Sequence, residues 1–174
     1  MKIRLTVILL SLVGASTCFA APGHTRNCTA PAYRQFNFWA GDWDAYDSSE
    51  PDKPIARNRV DIILGDCVVR EVYRQSDGLI GRSFSIYDAA RKVWHQTWVT
   101  NRGQLLVIEG QFRNGRMMLA GTDRDASGRS RLVKAFWMPV EGGVREVAHR
   151  SIDGGKTWTL WFDITFRPHR NSRH

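Results

Sequence analysis

From residue 57 onward, short β-like runs of apolar and polar positions alternate with turn signals, and the last run shows most clearly the period of two of a strand that buries one face. The runs are Arg57 to Leu64, Cys67 to Gln75, Gly81 to Tyr87, Val93 to Thr100, Leu105 to Phe112, Arg116 to Thr122, Arg131 to Pro139, Val144 to Ser151 and Thr157 to Phe166. Between them stand turn signals such as Ser76-Asp77-Gly78, Asn114-Gly115, Glu141-Gly142-Gly143 and Asp153-Gly154-Gly155, which supply the positive φ angles of tight hairpins. With Trp43 to Tyr46 as a first strand, about ten strands follow one another by short links. Such a meander closes into an antiparallel up-and-down β-barrel. Helical period is nearly absent; a short aromatic helical turn, Phe36 to Trp39, precedes the first strand. The one long connection is Asp47 to Ala56, with Pro51 and Pro54. An all-β fold of a single domain is predicted.

The last strand alternates most clearly: Trp158, Leu160, Phe162, Ile164 and Phe166 share one face, and Thr157, Thr159, Trp161, Asp163 and Thr165 the other. Elsewhere both faces carry polar groups, as in Cys67, Val69, Glu71 and Tyr73 against Val68, Arg70, Val72 and Arg74. A barrel with a partly polar lumen has this pattern, and so does a core holding charge pairs. The candidate lumen residues are Trp94, Gln96 and Trp98 on one strand, Glu71 and Tyr73 on another, and Glu109 and Arg145 as opposite charges on later strands. Pointing inward, they form an aromatic-walled cavity with a few fixed polar groups. The alternative is a filled core in which Glu71 or Glu109 pairs with Arg145 for structural reasons.

The ends of the chain add a destination. Lys2 and Arg4 precede an apolar run from Leu5 to Val13, and Cys18-Phe19-Ala20 ends in small residues, as in an export signal cleaved after Ala20. The run is short for a membrane span. A lipid anchor on Cys18 is the less favoured alternative, because Ala15-Ser16-Thr17 lacks the usual preceding leucine. The mature domain then runs over 21–174, and losing Lys2 and Arg4 takes the formal charge from +8 to +6. It retains Cys28 and Cys67, which in a periplasmic or extracellular protein suggest one disulfide, with two separate thiols as the alternative. The basic tail from Arg167 to His174 has no aromatic interleaving, so a solvated tail is favoured over nucleic-acid binding.

Metal and nucleophile chemistry find little support. Asp42, Asp44 and Asp47 are a possible hard-cation set, but on a strand Asp42 and Asp44 oppose the face of Trp43 and Asp47. The histidines, at 24, 95, 149, 169 and 174, show no ligand spacing. Neither G-x-S-x-G nor a phosphate-binding glycine loop occurs in 21–174.

Gly41-Asp42-Trp43, after the aromatic turn, is similar to the G-x-W signature of lipocalins and related calycin barrels. That resemblance implies that Trp43 closes one end of the barrel and that a basic residue near the end of the last strand, here Arg167, packs across its ring. The wider set FNFWAGDWD, GDC with REVY, SIYD, KVWHQTWV and DGGKTW before FDITFRP resembles the DUF1579-like family of uncharacterised bacterial exported proteins, over Arg34 to Pro168. The resemblance implies a lipocalin-like barrel and no established reaction. Some calycins hold haem through one histidine in the barrel mouth, so His95 or His149 is a haem candidate, though a structural histidine is the favoured reading and no cofactor is expected. Ser151, Asp153, Gly155, Thr157 and Trp158 fit S-x-D-x-G-x-T-W, which looks like the Asp box of sialidase propellers, a structural hairpin even there.

Three functions follow in order of preference. The first is binding of a small, partly apolar molecule in the lumen. The second is an enzyme using Glu71 or Glu109 as acid or base. The third is a structural or protein-binding barrel with a filled core.

Overall fold

The computed structural model describes residues 28–170. The expected export signal with Cys18, His24, and the tail residues from 171 to 174 lie outside the described residues. Two short 3-10 turns, Pro31–Arg34 and Asn37–Trp39, lead into ten strands. These are β1 (Gly41–Asp47), β2 (Pro54–Ile63), β3 (Val68–Gln75), β4 (Ile80–Asp88), β5 (Val93–Thr100), β6 (Leu105–Arg113), β7 (Arg116–Arg124), β8 (Ser130–Val140), β9 (Gly143–Ser151) and β10 (Thr159–Pro168). Each strand pairs antiparallel with its chain neighbours. Pairing of β1 with β10, from Trp43 opposite Pro168 to Asp47 opposite Ile164, closes the barrel. Closure removes the sheet edges, so every strand is paired on both sides.

Short links follow from local turn chemistry. Asn114 (φ 51°) and Gly115 (φ 75°) form the two-residue link from β6 to β7, with the positive φ at both positions that a type I′ hairpin needs. The link after β1 is shorter than the alternation suggested, because β2 begins at Pro54 and extends the strand over Ile55 and Ala56.

One end of the barrel is stoppered by the chain that precedes β1. Phe36, Trp39, Trp94, Trp137 and Phe166 are all almost fully buried there. Phe36 stacks on Trp39 at 5.1 Å and meets Trp94 and Trp137 edge-on at 5.7 and 5.4 Å. Two side-chain bonds anchor the stopper: the Trp43 indole donates to the Trp39 carbonyl at 3.0 Å, and the Trp94 indole to Gln35 at 3.1 Å. A Cβ on Gly41 would run into the Trp43 indole, so the glycine of G-x-W makes room for the ring. The Cys28–Cys67 disulfide ties the stopper to the start of β3, and Arg34 donates to the Cys28 and Asp66 carbonyls beside it.

Two expectations are corrected. Arg167 does not cross Trp43; its guanidinium lies 4.4 Å from the centre of the Tyr46 ring and donates to the Pro51 carbonyl. Side-chain parity is the reason, since Phe166 points inward with Trp43 and the next residue must point outward. The alternation of the last strand also breaks. A bulge between Leu160 and Phe162 sends Leu160 to the surface and turns Trp161 toward the lumen beside Phe162. Trp158 belongs to the hairpin outside β10, where the Lys134 ammonium sits 3.9 Å above its ring.

Candidate functional site

Above the aromatic stopper the barrel is hollow, with a cavity of about 310 Å³. The apolar wall comes from Ile55, Leu79, Leu106, Ile108, Val133 and Ala135, and the aromatic wall from Tyr73, Trp98, Trp137, Trp161, Phe162 and Phe166. Such positions arise because inward residues of successive strands lie side by side around the ring. A Cβ on Gly81 would collide with Trp98, so this glycine lets the indole lie flat across β4.

Three carboxyl groups line the cavity, Asp47 at its mouth and Glu71 and Glu146 on β3 and β9. Glu71 on β3 is buried, and the Ser83 hydroxyl of the paired strand β4 donates to it at 2.8 Å. Burial pushes Glu71 up to about 7, with the Ser83 bond opposing the shift. Glu146 on β9 is raised well above the ordinary glutamate range, first by burial and then by the negative charge of Glu71. Tyr73 is raised by burial and further by the charges of Glu146 and Glu71.

Neutral polar groups around this pair are poorly partnered. The Trp137 indole N–H, on the residue directly opposite Glu146, has no partner of normal hydrogen-bond geometry, and its pull on the Glu146 carboxyl opposes the upward shift less than burial and Glu71 drive it. Asn58 is fully buried, and neither atom of its amide has a partner of normal geometry, so its pull on Glu71 is weaker than that of Ser83. Gln96 donates to Ser85 at 3.0 Å, while Gln75 and Gln104 complete the polar lining.

At the open end, Asp123 is buried between two arginines, 2.8 Å from Arg131 and 2.7 Å from Arg150. Arg150 lies 3.1 Å from the centre of the Trp161 ring, so it backs the aromatic wall from outside the lining. The neighbouring hairpin is tied together by side-chain bonds: Asp153 accepts from the Thr157 amide at 3.0 Å and from the Ser151 hydroxyl at 2.7 Å. Those bonds, led by Thr157, hold its carboxyl far below the usual range. The Trp158 indole donates to the Gly155 carbonyl at 3.1 Å, and Gly155 takes φ 91°, completing a turn with a structural role.

Of the lumen candidates, Glu71, Tyr73, Gln96 and Trp98 line the cavity. Trp94 shares their face of β5 but lies deeper, under the stopper. Glu109 and Arg145 are corrected to the outer surface. Glu109 binds Arg91 at 2.8 Å and His95 at 2.9 Å, which brings it down to about 2. Arg145 binds Asp163 at 2.8 Å. On β6 the exposed Leu105 and Val107 make the outer face as apolar as the inner one, so hydrophobicity does not reveal which side Glu109 takes. On β9 both faces mix charge with small apolar residues, so nothing in the sequence showed that Glu146 turns inward with Val144 and Ala148.

The remaining candidates also face outward. His95 sits in the Glu109 cluster, and His149 packs edge-on against Phe136 at 6.3 Å on the outer surface, so neither reaches the lumen to ligate haem. Asp42 binds Arg57 at 2.6 Å and Asp44 binds His169 at 2.9 Å, while Asp47 lies at the cavity mouth and accepts from the Ser49 amide at 2.8 Å. The three aspartates therefore do not converge on one point. No family model matches this chain, and comparison with curated proteins finds no similar one.

Proposed function

We propose that this protein is an exported lipocalin-like barrel of the DUF1579-like type that binds a small, partly apolar molecule in its lumen. The observation that carries this reading is the hollow, aromatic-walled cavity of about 310 Å³ with few polar groups. That volume is at the lower end of the roughly 300–1,000 Å³ of small-molecule pockets, so the ligand is of one- or two-ring size. Export to the periplasm or beyond is supported by the N-terminal pattern and by the Cys28–Cys67 disulfide, which suits an oxidising compartment. Native mass spectrometry of the protein from its own host tests the reading. A retained small mass, lost on denaturation, is expected; a bare chain that also shows no saturable change of tryptophan emission with phenethyl alcohol or phenethylamine overturns it.

Glu71 favours one second reading. A carboxyl that titrates near 7 inside a pocket, beside another carboxyl, suits general acid or base chemistry on the bound molecule. Under this reading Glu71→Gln abolishes turnover of a lumen ligand while leaving its Kd unchanged.

A further inference from the structure

We propose that the lumen takes a small organic cation, a protonated amine on an aromatic or apolar body, with its ammonium group held by Glu71 and Glu146. This deepens the lumen-binding reading and rests on it.

Charge in the wall is one-sided. The chain carries 25 Lys and Arg against 17 Asp and Glu, yet the ionisable side chains that bound the cavity besides Tyr73 are Asp47, Glu71 and Glu146. No lysine, arginine or histidine lines it among the described residues. At the open end, Arg131 and Arg150 are already engaged by Asp123. A carboxylate shielded from water is stable when paired with a cation, and the buried Glu71 and half-buried Glu146 facing one space leave the place of that cation open.

The surroundings suit an amine rather than a bare metal ion. Tyr73, Trp98 and Trp137 present aromatic rings to the same space, which favour an organic cation through cation–π attraction, while Trp161, already backed by Arg150, helps bury its apolar body. Trp137 is almost fully buried, and its indole N–H, which has no partner of normal geometry though it lies beside Glu146, offers a donor to a heteroatom of the ligand. A hard metal ion would instead require several converging oxygen ligands, and no set of three metal-binding side chains converges among the described residues.

Proton linkage gives the sign of the pH effect. The groups facing Glu71 are Asn58 on β2, Tyr73 on its own strand, Ser83 on β4, and Glu146 on β9; Asp47 on β1 lies at the mouth. None of these supplies a positive charge. An ammonium ion stabilises both carboxylates, so its binding releases protons near neutral pH and weakens as acid reprotonates them.

The test compares phenethylamine with its neutral isostere phenethyl alcohol by calorimetry on the full mature chain. The amine is expected to bind at least about ten-fold tighter at pH 8, and to lose about ten-fold or more by pH 5, while the alcohol changes little. Glu71→Gln and Glu146→Gln are each expected to remove most of the amine's advantage and leave alcohol binding in place. Should the variants not fold, the pH comparison on the natural chain decides. Equal affinity for both molecules, a preference for phenylpropionate, or binding of calcium in place of the amine overturns the cation proposal while lumen binding stands. Failure of every one of these aromatic probes to bind overturns both.

Discussion

Glu71 and Glu146 face one cavity from β3 and β9, four strands apart around the ring through β2, β1 and β10, and Glu146 meets the charge of Glu71 with no basic side chain in the wall between them. A natural core of this size rarely keeps two carboxyls so placed without a partner, because an unpaired buried charge is costly. The cost shows as proton affinity, and it makes the pair a reporter of the whole lumen.

Stability should fall as pH rises from 5 to 8. Between the ordinary glutamate value of 4.5 and about 7, the folded chain keeps a proton on Glu71 that the unfolded chain has released. That proton is worth on the order of 3 kcal/mol at most, and Glu146 acts in the same direction. Carboxyls held low, such as Glu109 at about 2, lose their contribution only in more acidic solution. Urea midpoints for the natural chain and Glu71→Gln at pH 5 and pH 8 check this. The variant's pH slope should be flatter, and an unchanged slope would refute the role given to Glu71.

Trp39→Ala should lower stability by about 3–5 kcal/mol, as for a large aromatic removed from a close-packed core. Trp39 is fully buried between Phe36, Trp137 and Phe166, and its carbonyl takes the Trp43 indole bond. Denaturant unfolding measures the loss. A cost below about 1 kcal/mol would mean that the stopper is not held by these contacts.

Gly81→Ala should cost about 1–3 kcal/mol through overpacking, because its methyl group must displace the Trp98 ring. Since Trp98 lines the cavity, the same change should alter tryptophan emission and ligand affinity together. Gly115→Ala, at a turn with open space around it, would disturb stability through its positive φ and leave the lumen spectrum unchanged.

Reducing the Cys28–Cys67 bond, or replacing both cysteines with serine, should lower stability by about 4 kcal/mol on the chain-entropy view, given a sequence separation of 39 residues. Thermal melts with and without reductant check it. No shift in Tm would mean that the arm stays docked by Arg34 and the aromatic stopper alone.

The strand count, the antiparallel meander and the cysteine pair were legible in the sequence because they depend on local rules. Period-two alternation and Asn-Gly or Asp-Gly turns act over a few residues, and Cys28 and Cys67 were the only cysteines left after the expected cleavage. On β3 and β5 the residues that share a face were legible, Val69, Glu71 and Tyr73 against Arg70 and Arg74, and Trp94 and Trp98 against Thr97, but which face turns inward was settled only by the barrel. Where both faces of a strand had similar polarity, as on β6 and β9, no local rule remained.

The sequence by itself therefore determined that the chain forms ten hairpin-linked strands, with a tryptophan after Gly41 at the entrance to the first. Only the tertiary structure decided which carboxylates share a space. Glu71 and Glu146 lie 75 positions apart in the chain and meet only because β1 pairs with β10 and curls the sheet into a ring. A one-residue change in parity, like the bulge that turns Trp161 inward, moves a side chain from solvent to lumen without altering the surrounding pattern. Strand formation depends on neighbouring residues, whereas the chemistry of the lumen depends on register and closure around the whole barrel.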